Sequence, residues 1–148
     1  MTDVMFQIPS PIVATRVAEA DRLRFPPTYF GPSMPRMLRG EALVFGWMGR
    51  LCAAYHGGFW HFYTLSNGGF YMAPEHDGPL RIEVDGNGFA GELSADAAGI
   101  VATLFALNQL CAELAGTADA DALIDRYHHL AAFASEHAEA AAIYRAID

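Results

Sequence analysis

FWHFYTLSNGGFYMAP, residues 59–74, is the stretch that decides the fold. Aromatic and β-branched residues lie on both sides of Asn67-Gly68, a dipeptide suited to a tight hairpin turn whose central residues need positive φ. That turn sets Leu65 opposite Phe70, Thr64 opposite Tyr71 and Tyr63 opposite Met72. Aromatics fall on both faces, so this hairpin is either covered on both sides or exposes a surface of rings. The next stretch, LRIEVDGNGFAGEL at 80–93, reads as a second hairpin about Gly86-Asn87. Val84 then faces Phe89 and Leu80 faces Leu93 on one apolar side, while Arg81 lies opposite Glu92 on the other. A slip of one residue would break both patterns.

Outward from the hairpins the chain reads as helix. On the N-terminal side, Pro11–Arg24 has a first-turn proline and a rough apolar face of Ile12, Val13, Val17, Ala20 and Leu23. Phe25-Pro26-Pro27 forbids helix, because each proline pushes its predecessor into extended conformation. The loop to Pro35 tucks Tyr29 and Phe30 inward. A helix over about Arg36–Tyr55 carries Leu38, Ala42, Phe45, Met48 and Cys52 on one face and Leu43, Val44, Trp47 and Leu51 on the other. Apolar nearly all round, it reads as the central buried helix, ended by Gly57-Gly58. After the hairpins, Ser94 caps a helix with Asp96 in its first turn and Ile100, Leu104, Leu107, Cys111 and Leu114 as its buried stripe. Gly116 closes it. A further helix has Leu123, Tyr127, Leu130 or Ala131, and Ala134 inside, and a last one spans Glu136–Ala146. The expected fold is α+β: an antiparallel β-meander of two hairpins, about 59–74 and 80–93, packed with two N-terminal and three C-terminal helices in one domain, residues 1–148.

Composition narrows the function. Of 148 residues, 53% are hydrophobic and 18% charged, and the net charge is −8. All nine basic residues are Arg, and their distribution is uneven. Residues 1–74 hold six Arg and four acids, net +2; residues 75–148 hold three Arg and thirteen acids, net −10. Such a chain is a poor general nucleic-acid binder, since that binding rests on neutralising phosphates. The first residues, with Asp3 and Pro9 where a secretory signal needs basic and apolar runs, predict no such signal. The longest apolar run, Ala97–Leu107, is 11 residues against the ~20 of a membrane span. These readings predict a soluble, cytoplasmic protein with no membrane partner. Cys52 and Cys111 form neither a disulfide framework nor a metal-finger pattern and read as buried thiols.

No catalytic constellation emerges. There is no nucleophile elbow, phosphate loop or dinucleotide fingerprint, and Gly86 and Gly88 belong to a hairpin turn. His56 and His61 flank Gly57–Trp60, and His128, His129 and His137 lie in the last helices; no pair has the spacing that sets two imidazoles on one helix face. Glu83 and Asp85 share a strand side, where solvated carboxylates are the ordinary outcome.

The strings themselves carry a resemblance. Arg39-Gly40-Glu41-Ala42-Leu43-Val44, Tyr55-His56-Gly57-Gly58-Phe59-Trp60, Phe62 to Pro74, Gly86-Asn87-Gly88-Phe89, Glu92 to Ile100 and Ala141-Ala142-Ile143-Tyr144-Arg145 resemble the ArdB/KlcA antirestriction family, with its plasmid-borne branch nearest. The likeness runs from about Tyr29 to the C-terminus. It implies a small cytoplasmic protein that helps incoming plasmid DNA evade type I restriction-modification systems, without enzymatic activity. No catalytic residue, cofactor, metal or small-molecule ligand is implied. The expected partner is a type I restriction-modification complex or an associated host protein. Mimicry of DNA sits poorly with the charge: ten base pairs take about twenty acids in register, whereas the chain has seventeen, offset by nine Arg. Protein contact through Glu83, Asp85, Trp60, Tyr71, Asp121 and Asp125 is the working expectation. The alternatives are a His-dependent metal hydrolase using His56 or His61, and a DNA-binding plasmid regulator using Arg16, Arg22, Arg24, Arg36 and Arg39.

Overall fold

The computed structural model describes residues 10–148; the reading of the first residues as lacking a secretory signal lies outside them. Element order is β1 (Ala14–Arg16), a 3-10 helix (Glu19–Arg24), α1 (Phe25–Tyr29), α2 (Met34–Leu51), β2 (Trp60–Leu65), β3 (Phe70–Pro74), β4 (Leu80–Val84), β5 (Phe89–Leu93), α3 (Ala95–Glu113), α4 (Ala118–Glu136) and α5 (Ala140–Ile147). The fold is α+β, with both expected hairpins present. They lie in separate sheets, one of order β1-β2-β3 and one of β4-β5.

The second hairpin has the expected register: Leu80 pairs with Leu93, Arg81 with Glu92 and Val84 with Phe89. Its strand β4 alternates buried and exposed residues without a break. Val84→Asp therefore places a charge at a site 8% exposed. We expect a loss of about 3–5 kcal/mol and a melting temperature lower by roughly 10 °C. A change under about a degree by thermal denaturation would contradict the burial.

The first hairpin is shifted by one residue from expectation. Tyr63 pairs with Tyr71 and Phe62 with Met72. The reason lies in the turn. Only Gly68 has positive φ (94°); Asn67 does not. Gly68 N–H donates to the Leu65 carbonyl at 3.0 Å, and Leu65 N–H to Gly69 at 2.9 Å. This is a type I turn followed by a left-handed glycine, which adds one residue to the loop. Asn67 is spent on tying the turn down: its Oδ1 accepts from Gly69 N–H and its Nδ2 donates to the His129 carbonyl of α4, 2.9 Å away. Every residue of β3 is buried, because aromatic rings of α1 cover one sheet face and α4 and the start of α3 cover the other.

The N-terminal part departs furthest. The helix expected over 11–24 is not continuous: Ala14, Thr15 and Arg16 pair with Leu65, Thr64 and Tyr63 as an edge strand, and only Glu19–Arg24 is helical, as a 3-10 helix. The run of Ile12, Val13, Thr15 and Val17 suits an extended chain, and the waiting edge of β2 supplies the pairing that sequence periodicity does not report. Pro26 and Pro27 do not forbid helix either. They stand in the first turn of α1, where a missing N–H costs nothing. Phe30 is buried and Tyr29 half-buried, as expected.

Helix α2 begins earlier than expected, capped by Ser33 Oγ accepting from Arg36 N–H, and ends at Leu51, before Gly57-Gly58. It is amphipathic, not central. Gly40, Leu43, Val44, Met48 and Leu51 are buried, while Leu38 is 59% exposed and Ala42 is open. The central helix is α3, capped by Ser94 Oγ accepting from Ala97 N–H at 3.1 Å and buried on all sides between Ala97 and Leu104. Among the described residues α3 alone is long and apolar enough to cross a membrane by length and composition; here that surface packs on α2, β3, α4 and α5. Cys52 is buried and Cys111 half-buried, both free, and burial raises the Cys111 thiol above its ordinary value.

Candidate functional site

The register of the three-stranded sheet sets Arg16, Tyr63 and Tyr71 side by side on one face. Arg16 Nη2 donates to the Tyr63 hydroxyl at 2.9 Å, and its guanidinium lies over the Tyr63 ring. Tyr63 stacks on Tyr71 at 4.6 Å, and Tyr71 in turn on Phe133 of α4 at 5.6 Å. This row of planar groups runs from the sheet edge to the helical layer.

Tyr71 starts a polar relay. Its hydroxyl donates to Asp96 Oδ1 at 2.7 Å, and the other oxygen of Asp96 takes His137 Nε2 at 2.8 Å. His137 Nδ1 accepts the Glu139 backbone N–H at 3.0 Å. That acceptor role leaves the proton on Nε2, which therefore donates to Asp96. Glu139 closes the ring of contacts, accepting from Ser94 N–H at 2.9 Å and from the Ser94 hydroxyl. The N-terminus of α3 and the α4–α5 junction are thus joined through side chains far apart in sequence. Burial, reinforced by the Asp96 carboxylate, pushes the Tyr71 hydroxyl far above the ordinary tyrosine range. It stays protonated and a donor throughout the neutral range. The stability it contributes is full below the unfolded value near 10 and is lost as pH rises beyond that.

Asp96 also faces solvent. With Arg16, His61, Tyr63, Glu75 and Asp77 it lines a cleft of about 320 Å³. His61 Nε2 lies 3.4 Å from Glu75 Oε1. Both oxygens of Asp96 are engaged, so the carboxylate is a strut of the cleft wall. No group of three His, Cys, Asp or Glu among the described residues is placed to share a metal ion. His56 is exposed.

The residues singled out from sequence fall into three groups. Trp60 and Tyr71 are 3% and 2% exposed, so neither anchors a partner. Trp60 Nε1 instead donates to the Tyr55 hydroxyl, and its ring meets Phe45 edge-on. Trp60, Phe62, Phe70 and Tyr71 are consumed by the layers that sandwich this hairpin, while Phe59 at its start is 52% exposed. Glu83 and Asp85 are exposed on and just after β4, and Asp121 and Asp125 are exposed on α4. Arg81 lies opposite Glu92 as expected, but its side chain bonds Glu83 of the same strand at 3.4 Å. The five Arg of the regulator alternative are dispersed into separate contacts. Arg36 meets Asp119, Arg39 forms two bonds to Glu113, Arg24 meets Asp21 and Arg22 lies over Phe59 and Phe62. Arg39 and Gln109 hold the Glu113 carboxyl below its usual range. Asp96 was visible in sequence only as a helix-start acid, and its pairing with His137, 41 positions away, has no local signal.

The family model for antirestriction proteins matches residues 53–148. The chain is 97% identical over 148 residues to "Antirestriction protein KlcA" of Escherichia coli, covering all of both chains. It is 70% identical over 138 residues to a second Escherichia coli protein of that name, covering 93% of this chain and 96% of the relative. A solved structure superimposes with a TM-score of 0.87 at 68% identity, covering 96% of this chain and 99% of its own. It is described as one of the KlcA and ArdB proteins, with a novel fold and antirestriction activity against Type I DNA restriction systems in vivo but not in vitro. The relay from Tyr71 to Glu139 lies wholly within the matched residues, and this chain belongs to the antirestriction protein family.

Proposed function

We propose that this protein protects unmodified DNA from type I restriction systems inside the cell, in the cytoplasm, by protein contact and without chemistry of its own. The observation that carries the reading is full-length identity of 97% to an antirestriction protein. Activity in vivo but not in vitro, as described for the solved relative, fits an inhibitor that works through a further cellular component. The geometry is compatible with that role. Asp96, the carboxylate best positioned at a cleft, is held from both sides by Tyr71 and His137, which suits a rigid surface better than proton transfer. Imitation of duplex DNA needs acids in register, whereas Glu113 and Asp119 are neutralised by Arg39 and Arg36.

The test is plating of unmodified phage on cells that carry a type I system, with and without the protein. Plating close to that of modified phage is expected; unchanged restriction across several such systems contradicts the reading. The exposed acids give a finer test. Glu83→Gln with Asp85→Asn removes one exposed ion pair, a contribution of about 0–1 kcal/mol, and should leave the melting temperature unchanged while weakening protection in cells. Full protection by the folded double variant moves the contact away from β4.

A further inference from the structure

The two edges of the three-stranded sheet are treated differently. On β3 the outward groups of Met72 are covered by α3: its N–H donates to Thr103 Oγ1 at 3.2 Å, and its carbonyl is packed against Gly99. On β1 the bonds from Val17 to Phe62 and from Ser66 to Val13 aim residues 13, 15 and 17 at β2. The N–H and C=O of Ala14 and Arg16 therefore face away from the sheet. The first outward amide, that of Ile12, is taken by a carboxylate, Glu136 Oε1, at 2.9 Å. Beyond it, no described group accepts from the amides of Ala14 and Arg16. An edge that the described residues leave without a partner is a template for another strand.

Charge beside that edge selects what fits. A cleft of about 510 Å³ opens between β1 and α1, lined among others by Thr15, Arg16, Asp21, Arg24 and Thr28. The Arg24 side chain is 83% exposed and meets only Asp21, at 3.5 Å. Arg16 is exposed and spends one of its donors on Tyr63, leaving others of its five for an incoming carboxylate. Two guanidinium groups, Arg16 on the Tyr63 face and Arg24 in the cleft towards α1, thus flank main-chain donors that no described group takes, on a protein of net charge −8.

We propose that the outward edge of β1 docks an extended, acidic segment of a protein partner, which adds as a strand along Ala14–Arg16 with carboxylates on Arg16 and Arg24. The fold already uses this chemistry once, with Glu136 on Ile12. The inference rests on the reading of the chain as one that acts through protein contacts. Duplex DNA fits the strip less well, because two guanidiniums neutralise few phosphates and the rest of the molecule repels a polyanion. With only three residues in the strand, main-chain bonds give a modest affinity and charge supplies orientation.

The probe is an octapeptide of alternating glutamate pairs and threonine pairs, which sets carboxylates on both faces of an added strand; it is titrated into the isotope-labelled protein and followed by amide NMR. A peptide with lysine in place of each glutamate and a duplex DNA serve as comparisons. The amides of Ala14 and Arg16 should shift, and exchange more slowly, with the acidic peptide alone. Arg24→Glu, at an exposed site, should weaken that binding about tenfold. Ala14→Pro should abolish it, because it removes an outward N–H and leaves the β2 ladder intact. Absence of shifts at millimolar acidic peptide overturns the proposal, as does equal response to the lysine peptide or response of these amides to DNA. Phage plating separates the two readings. Protection by the wild type but not by folded Ala14→Pro places the edge in the antirestriction contact; undiminished protection by that variant removes it. No protection by the wild type defeats the function and leaves the peptide result to decide the edge.

Discussion

Gly99→Ala lowers the melting temperature by about 10 °C or more, a loss of roughly 3 kcal/mol, although it adds one methyl group. Helix α3 reaches β3 at this glycine so closely that a Cβ would lie 2.3 Å from the Met72 carbonyl oxygen and 2.5 Å from the Ala73 Cα. Both obstacles are backbone, so no side chain can swing aside. One turn on, Thr103 donates to the Gly99 carbonyl at 2.8 Å and accepts from Met72 N–H, fixing the same approach from a second point. Helix and strand have to separate to admit the methyl group, and the Thr103 contact to β3 is lost with it. Gly46 provides the contrast. It sits exposed in α2, where a Cβ meets nothing within 4 Å. Gly46→Ala should raise stability by about 0.5–1 kcal/mol through helix propensity alone. Equal behaviour of the two variants in thermal denaturation would contradict the described docking of α3.

Asp96→Ala is the second large effect, a loss of about 2–4 kcal/mol. It strips the acceptor from a buried tyrosine hydroxyl and from a largely buried histidine at once. Tyr71 is 2% exposed and His137 is bound on its other nitrogen by Glu139, so neither can turn to water without disturbing its surroundings. An acid is also removed from the first turn of α3, where it favours the helix N-terminus. Tyr71→Phe loses only one of these bonds and should cost about 1 kcal/mol. Near-ultraviolet circular dichroism, which reports the packing of the Tyr63–Tyr71 stack, together with the melting temperature, checks both. A melting temperature unaltered in Asp96→Ala would mean that the relay holds nothing together.

The parts of this fold that were legible in sequence are those governed by local periodicity. β4 and β5 show strict alternation, so their register follows from apolar pairing alone, and Ser94 marks the start of α3 by its capping chemistry. Elsewhere, long-range partners decided the outcome. Residues 14–16 are a strand because β2 offers an edge, which is invisible in the residues themselves. The first hairpin slipped by one position because Asn67 serves α4 while Gly68 alone takes positive φ. In α2 two apolar faces competed: Leu43, Val44 and Leu51 of one won burial together with Met48 and Cys52 at the far end of the other, whose Leu38 and Ala42 were left outside. The same limit applied to the site. Trp60 and Tyr71 looked like available rings because aromatic content does not say which face is covered. The Asp96–His137 pair joins residues that only the tertiary fold brings together.

Protection that runs through a protein contact available in the cell has a distinct signature in the tube. Its most direct test is cleavage of unmodified DNA by a purified type I restriction enzyme, with this protein added in buffer and again in cleared extract of the host. Full cleavage is expected in buffer, and inhibition once extract is present. Inhibition in buffer alone, or none in either condition while phage plating is protected, would contradict such a contact.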